Sequence, residues 1–376
     1  MKILFVTDPY PTNIHPNNGV FVYNFVQQLV ALGHQVTVIT PSKANLSNIF
    51  KPKQHYGEEA AKVFRPKVVT ASAKKIGPFH TYTISRIQKV RAVRRIVKKH
   101  QIEFDVVYCH FIQSALFAIE ALKDYNKPFF VAVGENNSLK ITKKWYSLKD
   151  YNYFLSYVKG YIAVSDVVKE KLIALNGINP NLITVARNGA DLSRFNKISK
   201  QEARKQLGLN LEQFLVVFVG RFVESKGPLR LINATKDIKD LGLIMVGAGP
   251  QQLNGEHIVF QKSVPKDLIP VLLKAGDVFV LPTLHEGSNN AIVEAMASGL
   301  PIISSDIPEV KEQVNEELAI LIDPLDESQI RNAILNVMQD DSLRERMSEA
   351  SLIHSENFDI QKRAEKIIEF INKKLN

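Results

Sequence analysis

The chain has 376 residues, 45% hydrophobic and 23% charged. That balance belongs to a folded protein of two or three domains and excludes disordered, collagen-like and disulfide-rich classes. The net charge of +10 is unevenly placed: residues 1–190 hold 26 Lys and Arg against 11 Asp and Glu, a net +15, and residues 191–376 hold 22 against 27, a net −5. The first half is therefore expected to meet something anionic: a nucleic acid, a membrane surface or a phosphorylated acceptor.

The opening run from Met1 to Asp8 is apolar only briefly and reads as a first strand, not a secretory leader. No segment approaches the ~20 apolar residues that span a bilayer. The one cysteine, Cys109, has no internal partner for a disulfide, so a reducing, cytoplasmic setting is expected.

Short runs rich in β-branched and aromatic residues at 3–7, 36–40, 106–109, 129–133 and 161–164 predict buried strands. Between them, 20–31, 84–99, 114–122 and 167–175 carry helical periodicity. The second half repeats the pattern, with strands at 214–219, 243–246, 278–281, 301–304 and 319–322. Its helices fall at 228–238, 267–274, 291–297, 328–338 and 343–355. Alternation of this kind implies parallel sheets with crossover helices. The expected fold class is α/β, two doubly wound Rossmann-like domains facing a central cleft. They are expected at 1–190 and 191–357, with the boundary just after the Asn188-Gly189 turn signal. A last helix at about 358–376 has no strand after it and is available to pack back on the first domain. Ligands of such sheets sit at the carboxyl ends of the strands, so the residues that follow strands are the informative ones.

After 214–219 comes Gly220-Arg221-Phe222-Val223-Glu224-Ser225-Lys226-Gly227-Pro228. Arg221 and Lys226 are two cations on one loop, suited to a phosphate, or else simply solvated. After 278–281 comes Pro282-Thr283-Leu284-His285-Glu286-Gly287-Ser288-Asn289-Asn290, then a helix. Small residues at a helix start offer backbone N–H groups to an anion. Glu286 and Glu294 are carboxylates able to accept from a sugar diol, though each alone also reads as an ordinary surface charge. Jointly, the two loops hold the equipment for a nucleoside diphosphate sugar.

With these residues the chain resembles family 4 of the retaining GT-B glycosyltransferases. The resemblance rests on Gly220-Arg221 with Lys226-Gly227, on the Glu286-to-Glu294 spacing followed by Ala-Met-Ala-Ser-Gly-Leu-Pro, and on Val185-Ala-Arg-Asn-Gly-Ala-Asp191. It implies that Arg221 and Lys226 hold the donor diphosphate and stabilise it as leaving group. It also implies that Glu294 binds the ribose, that Glu286 touches the donor sugar, and that N–H groups of Ser288, Asn289 and Asn290 complete a phosphate cradle beside Gly220. Gly19 would let the first domain approach the diphosphate, and residues 260–264, with Lys262 and Val264, would contact the base. The family usually places a His-Gly or His-Thr pair after the strand at 129–133. Here Gly134-Glu135-Asn136-Asn137 stands instead, so Gly134 and Glu135 are the expected sugar or acceptor contacts, and His110 is a further candidate.

Two signals are discounted. Gly247-Ala248-Gly249 follows a strand but Gln252 stands where a dinucleotide fingerprint needs its third glycine, so a turn is expected. There is no Asp-x-Asp and no His/Cys cluster, so neither metal nor cofactor is expected. The reading is a retaining, metal-independent glycosyltransferase that moves a sugar from a nucleoside diphosphate, with UDP favoured. The acceptor would be a glycan, a lipid-linked molecule or an anionic polymer in bacterial cell-surface polysaccharide synthesis. The alternatives are a nucleotide-sugar epimerase on the same fold and a basic nucleic-acid-binding protein. The second is disfavoured because no recognised module interleaves aromatic with basic residues.

From Ala60 to Ile102 there are 12 Lys or Arg and no Asp or Glu. Ile84, Ile87, Val90, Val93 and Val97 are expected to form the buried stripe of the helix there. Arg86, Lys89, Arg91, Arg94, Arg95, Lys98 and Lys99 fill its other faces. This patch, with Lys140, Lys143, Lys144 and Trp145 nearby, is expected to dock on anionic lipid or polymer and to make the protein peripheral at the inner face of the membrane.

Overall fold

The computed structural model describes residues 1–16, 18–44, 56–69, 75–76, 79–80, 82–134 and 148–376. The chain divides into two compact units, Met1–Ala186 with Ala364–Asn376, and Arg187–Arg363. The boundary falls before Asn188, earlier than the expected 190/191. The reason is local: Asn188 N–H donates to Ser288 Oγ at 3.1 Å, and Ala190 N–H donates to the Phe358 carbonyl at 3.0 Å. Both tie the linker to the second unit.

In the first unit seven parallel strands lie in the order Ile183–Val185, Val158–Ala163, Phe129–Val133, Val106–His110, Lys2–Thr7, Gln35–Ile39, Lys62–Phe64. The period-2 pattern of Lys2–Thr7 sends Leu4 and Val6 to one face, under the helices Tyr82–Lys99 and Ile112–Leu122. Ile3 and Phe5 go to the other face, under Val20–Ala31 and the closing helix Ile360–Leu375, whose Ala364, Ile367, Ile368 and Ile371 form its buried stripe. Chain order along this sheet reverses between Lys2–Thr7 and Val106–His110.

The second unit has six parallel strands in the order Ile258–Lys262, Leu241–Val246, Phe214–Val219, Val278–Leu281, Ile302–Ser305, Ala319–Ile322. By chain order this is 3-2-1-4-5-6, the doubly wound arrangement of dinucleotide-binding sheets. Its reversal lies between Phe214–Val219 and Val278–Leu281. No helix among the described residues is long and apolar enough to cross a membrane.

Three strands of the two large sheets went unforeseen: Lys62–Phe64, Ile183–Val185 and Ile258–Lys262; so did the short pairs Ser42–Ala44 with Lys67–Val69 and Lys75–Ile76 with Phe79–His80. The three in the large sheets are edges, and edges expose one side, so they lack the apolar density that marks a buried strand. Lys262 is accordingly an exposed residue of an edge strand, and Val264 just beyond it is buried. The helix Tyr82–Lys99 buries Val90, Val93 and Val97 as expected, but its first turns differ. Ile84 and Ile87 are not in the buried stripe but on the surface, 51% and 37% exposed, while Lys89 is buried. The cause is charge pairing: Lys89 Nζ meets Asp8 Oδ2 at 2.5 Å, and Arg86 Nε meets Glu120 Oε2 at 3.3 Å.

Candidate active site

The carboxyl ends of Phe214–Val219 and Val278–Leu281 carry the two loops singled out from the sequence. A crevice opens where neighbouring loops leave a sheet on opposite sides, and this pair flanks that reversal. The first loop runs through Gly220 and Arg221 into the turn Glu224–Lys226, then through Gly227 into the helix Pro228–Thr235. The second passes Pro282 and Thr283 to Glu286, then Asn289, which caps the helix Asn290–Ala297.

Hydrogen bonds knit the two loops together. The Ser225 carbonyl accepts from Leu284 N–H at 2.8 Å and from Thr283 Oγ1 at 3.0 Å. The buried Arg230 donates through Nη2 to the Pro282 carbonyl at 2.9 Å and to the Glu224 carbonyl at 3.1 Å, and ion-pairs with the Glu224 side chain. Gly227, at φ +71°, stands in the left-handed region with the Pro282 carbonyl where a Cβ would go. From below, Ser304 Oγ and Ser305 Oγ donate to the carbonyls of Leu281 and Thr283, at 2.8 and 2.6 Å.

At the centre, Lys226 Nζ pairs with Glu286 Oε1, and Asn289 Nδ2 donates to the same oxygen at 2.7 Å. The Glu286 side chain is 8% exposed and that of Lys226 22%. Asn289 does three jobs. Its Oδ1 accepts from Ala291 N–H at 2.8 Å and from Ile292 N–H at 3.3 Å, its amide restrains Glu286, and its own N–H donates to Gln313 Oε1 at 2.7 Å. This corrects the expected role of Asn289 as an N–H donor to a ligand, since that N–H is spent on Gln313. Ser288 and Asn290 differ: no acceptor of their backbone N–H occurs among the described residues. Ser288 is gripped by Asn188, whose Nδ2 donates to the Ser288 carbonyl at 3.2 Å. Arg187, next along that linker, pairs with Glu312 at 3.2 Å.

Glu294, on the helix Asn290–Ala297, is not in this cluster. It lies 3.9 Å from Lys266 Nζ. Burial pushes its carboxyl above the usual range, and Lys266 and Arg194 oppose that rise. Burial likewise pulls the Lys266 ammonium below its ordinary value, while Glu294 holds it up. Arg221 is exposed and has no carboxylate partner among the described residues. The Gly247-Ala248-Gly249 segment does more than turn. Phe222 N–H donates to the Ala248 carbonyl at 3.0 Å, and a Cβ on Gly247 would overlap the Gly220 carbonyl, so both glycines let this loop brace the first one.

The first unit places its candidates separately. Gly19, at φ +77°, precedes the helix Val20–Ala31, and a Cβ there would stand 2.7 Å from the Pro9 carbonyl. Its lack of a side chain is thus required within its own loop. His110 is buried at the end of its strand among rings, 4.6 Å from Phe111 and 5.4 Å from Phe21. Gly134 is half-buried beside Phe111 and Val164. Glu135 lies outside the described residues, as do Lys140, Lys143, Lys144 and Trp145. Cys109 is buried, and burial pushes its thiol up.

Sequence reasoning missed Arg230, Gln313, Asn188, Lys266 and Arg194. A cation among the apolar positions of a short helix was the available signal for Arg230, and Asn188 lay within a quoted motif. Nothing local marked the other three.

Comparison with known proteins agrees with the two-part architecture. Residues 19–194 match the family model described as Glycosyltransferase Family 4, and residues 199–353 match Glycosyl transferases group 1. A Bacillus subtilis protein named as the teichuronic acid biosynthesis glycosyltransferase TuaC is 28% identical over 89% of this chain and 88% of its own length. The Escherichia coli UDP-Gal:alpha-D-GlcNAc-diphosphoundecaprenol alpha-1,3-galactosyltransferase is 28% identical over 76% of this chain and 79% of its own. Among solved structures, sucrose-phosphate synthase from Thermosynechococcus elongatus superposes with a TM-score of 0.81 at 17% identity, covering 99% of this chain and 98% of that one.

Proposed function

Because the chain belongs to the family 4 glycosyltransferases and has their GT-B fold, we propose that it moves a sugar from a nucleoside diphosphate, read as UDP, to an acceptor hydroxyl with retention at the anomeric carbon. The match to glycosyltransferase families argues for transfer over the epimerase reading. The observation that carries the proposal is the Lys226–Glu286–Asn289 cluster at the strand reversal of the second unit. Lys226 offers its charge to the diphosphate, Arg221 adds a second cation from the same loop, and the N–H groups of Ser288 and Asn290 face the anion from the helix start. In the reaction the bond from the anomeric carbon to phosphate breaks and one to the acceptor oxygen forms on the same face. The acceptor proton passes to the departing phosphate oxygen. Negative charge grows on that phosphate, and preorganised donors act most strongly where charge grows. Asn289 and Gln313 hold these groups in place without touching the donor.

No divalent cation is required in this scheme, since the two side-chain cations supply the positive charge. The acceptor is a glycan or a lipid-linked saccharide of surface polysaccharide synthesis, a reading supported by the names of the Bacillus and Escherichia relatives. The enzyme works at the cytoplasmic face of an anionic membrane. That reading is supported by one outward line on the helix Tyr82–Lys99, where exposed Ile84 and Ile87 are followed by exposed Arg91, Arg95 and Lys98, with Lys99 beside them.

The deciding experiment screens nucleotide sugars for thermal stabilisation, then assays the one that binds with lipid-linked saccharide acceptors, in chelator and with added magnesium. Product of the donor's own anomeric configuration, formed equally in chelator, is expected. An inverted product would refute retention, and loss of activity in chelator would refute the metal-free scheme.

A further inference from the structure

Among the described residues, the Glu294 carboxylate has a cation beside it but no hydrogen-bond donor. Its Oε1 lies 3.9 Å from Lys266 Nζ, a contact too long for hydrogen bonding. Both side chains are largely withdrawn from water, 12% and 18% exposed. They come from different elements, Glu294 from the helix Asn290–Ala297 and Lys266 from the turn Lys266–Leu268 beyond the edge strand. Arg194 also acts on Glu294, but its guanidinium is engaged by Asp267 at 2.6 Å. Two buried opposite charges separated by this gap keep lone pairs and N–H donors to spend on a ligand. A hydroxyl beside the pair can bridge it, because it donates to a carboxylate and accepts from an ammonium.

We propose that Lys266 is a second ribose-binding residue, donating to the hydroxyl that donates to Glu294. The proposal rests on the assignment of Glu294 to the ribose. It also has an electrostatic consequence. Burial raises the pKa of Glu294, and Lys266, then Arg194, oppose the rise. Lys266 itself is acted on by Glu294, Arg194, Asp191 and Asp267. Nucleotide binding that needs the carboxylate is lost as pH falls through the pKa of Glu294. Without Lys266 that pKa is higher, so the loss begins at higher pH.

The test is calorimetric titration of the full chain with UDP and with its 2′,3′-dideoxy analogue, from mildly acid to mildly alkaline pH. Lys266→Met should weaken UDP about tenfold at neutral pH, the scale of a lost charge-assisted hydrogen bond. Its acid limb should lie at higher pH than that of the wild type, and the substitution should change binding of the dideoxy analogue far less. Lys266→Arg should keep affinity within about twofold. Wild-type affinity and an unmoved acid limb in Lys266→Met, with weak binding by Glu294→Gln, would overturn the role of Lys266 and leave the nucleotide site standing. Unchanged UDP affinity in Glu294→Gln would instead overturn the ribose assignment and this proposal with it. Should Lys266→Met fail to fold, Lys266→Gln takes its place. In the wild type, equal affinity for UDP and for the dideoxy analogue would overturn the proposal.

Discussion

Replacing Asn289 separates the capping of a helix from the restraint of the Glu286 carboxylate. Its Oδ1 caps two helix N–H groups, at 2.8 and 3.3 Å, and its Nδ2 holds Glu286 at 2.7 Å. Loss of an N-cap costs about 1 kcal/mol. Loss of a hydrogen bond to a charged group costs about 1.5–3 kcal/mol. Asn289 is 8% exposed, so water replaces neither contact well, and Asn289→Ala should lose about 2.5–4 kcal/mol in all. Asn289→Asp behaves differently, because Asp caps as well as Asn. It sets a second carboxylate against Glu286, and two like charges about 4 Å apart repel by up to about 4 kcal/mol at an effective dielectric of about 20. Lys226 offsets part of this. Repulsion raises the folded-state pKa of the new pair above its unfolded value. Stability is therefore nearest to wild type in acid and is lost as pH rises through that raised pKa. Calorimetric melting of wild type, Asn289→Ala and Asn289→Asp at acid and neutral pH checks both claims. An Ala variant that melts with the wild type would refute the accounting, as would an Asp variant equally destabilised at both pH values.

Lys226→Ala should slow sugar transfer by about 2.7–4 kcal/mol of barrier and weaken donor binding less, measured by turnover at saturating donor; near wild-type turnover would remove Lys226 from the chemistry. Gly227→Ala puts a Cβ at φ +71° against the Pro282 carbonyl. The left-handed backbone alone costs about 1–2 kcal/mol, so a lower melting temperature is expected. Changing Arg91, Arg95, Lys98 and Lys99 together to Glu should abolish co-sedimentation with anionic vesicles, at about 1 kcal/mol per cation, while turnover of soluble donor persists. Undiminished sedimentation would locate membrane binding elsewhere.

Much of this protein was legible in its sequence because the signals are local. Fully buried parallel strands such as Phe129–Val133 are dense in apolar residues, and alternation with helices implies crossover topology. Lys226, Glu286 and Glu294 stood out as candidates because the segments that carry them follow strands, where such sheets bind ligands. Three of the four edge strands of the large sheets escaped notice because one side faces water; the fourth, the wholly apolar Ala319–Ile322, did not. The exposure of Ile84 and Ile87 also escaped, since apolar spacing allowed both inside along with Val90, Val93 and Val97; only the positions of Asp8 and Glu120 draw Lys89 and Arg86 inward instead.

What tertiary structure alone decided is how distant residues spend their hydrogen bonds. Asn289 reads in sequence as a helix-start donor, but its N–H belongs to Gln313, and its side chain is shared between the cap and Glu286. Arg230 clasps two loops, and Lys266 meets Glu294 from a separate turn. A local pattern carries no record of such partnerships, because they depend on which groups the fold buries together. Once buried, a polar group must take the partner that folding sets beside it.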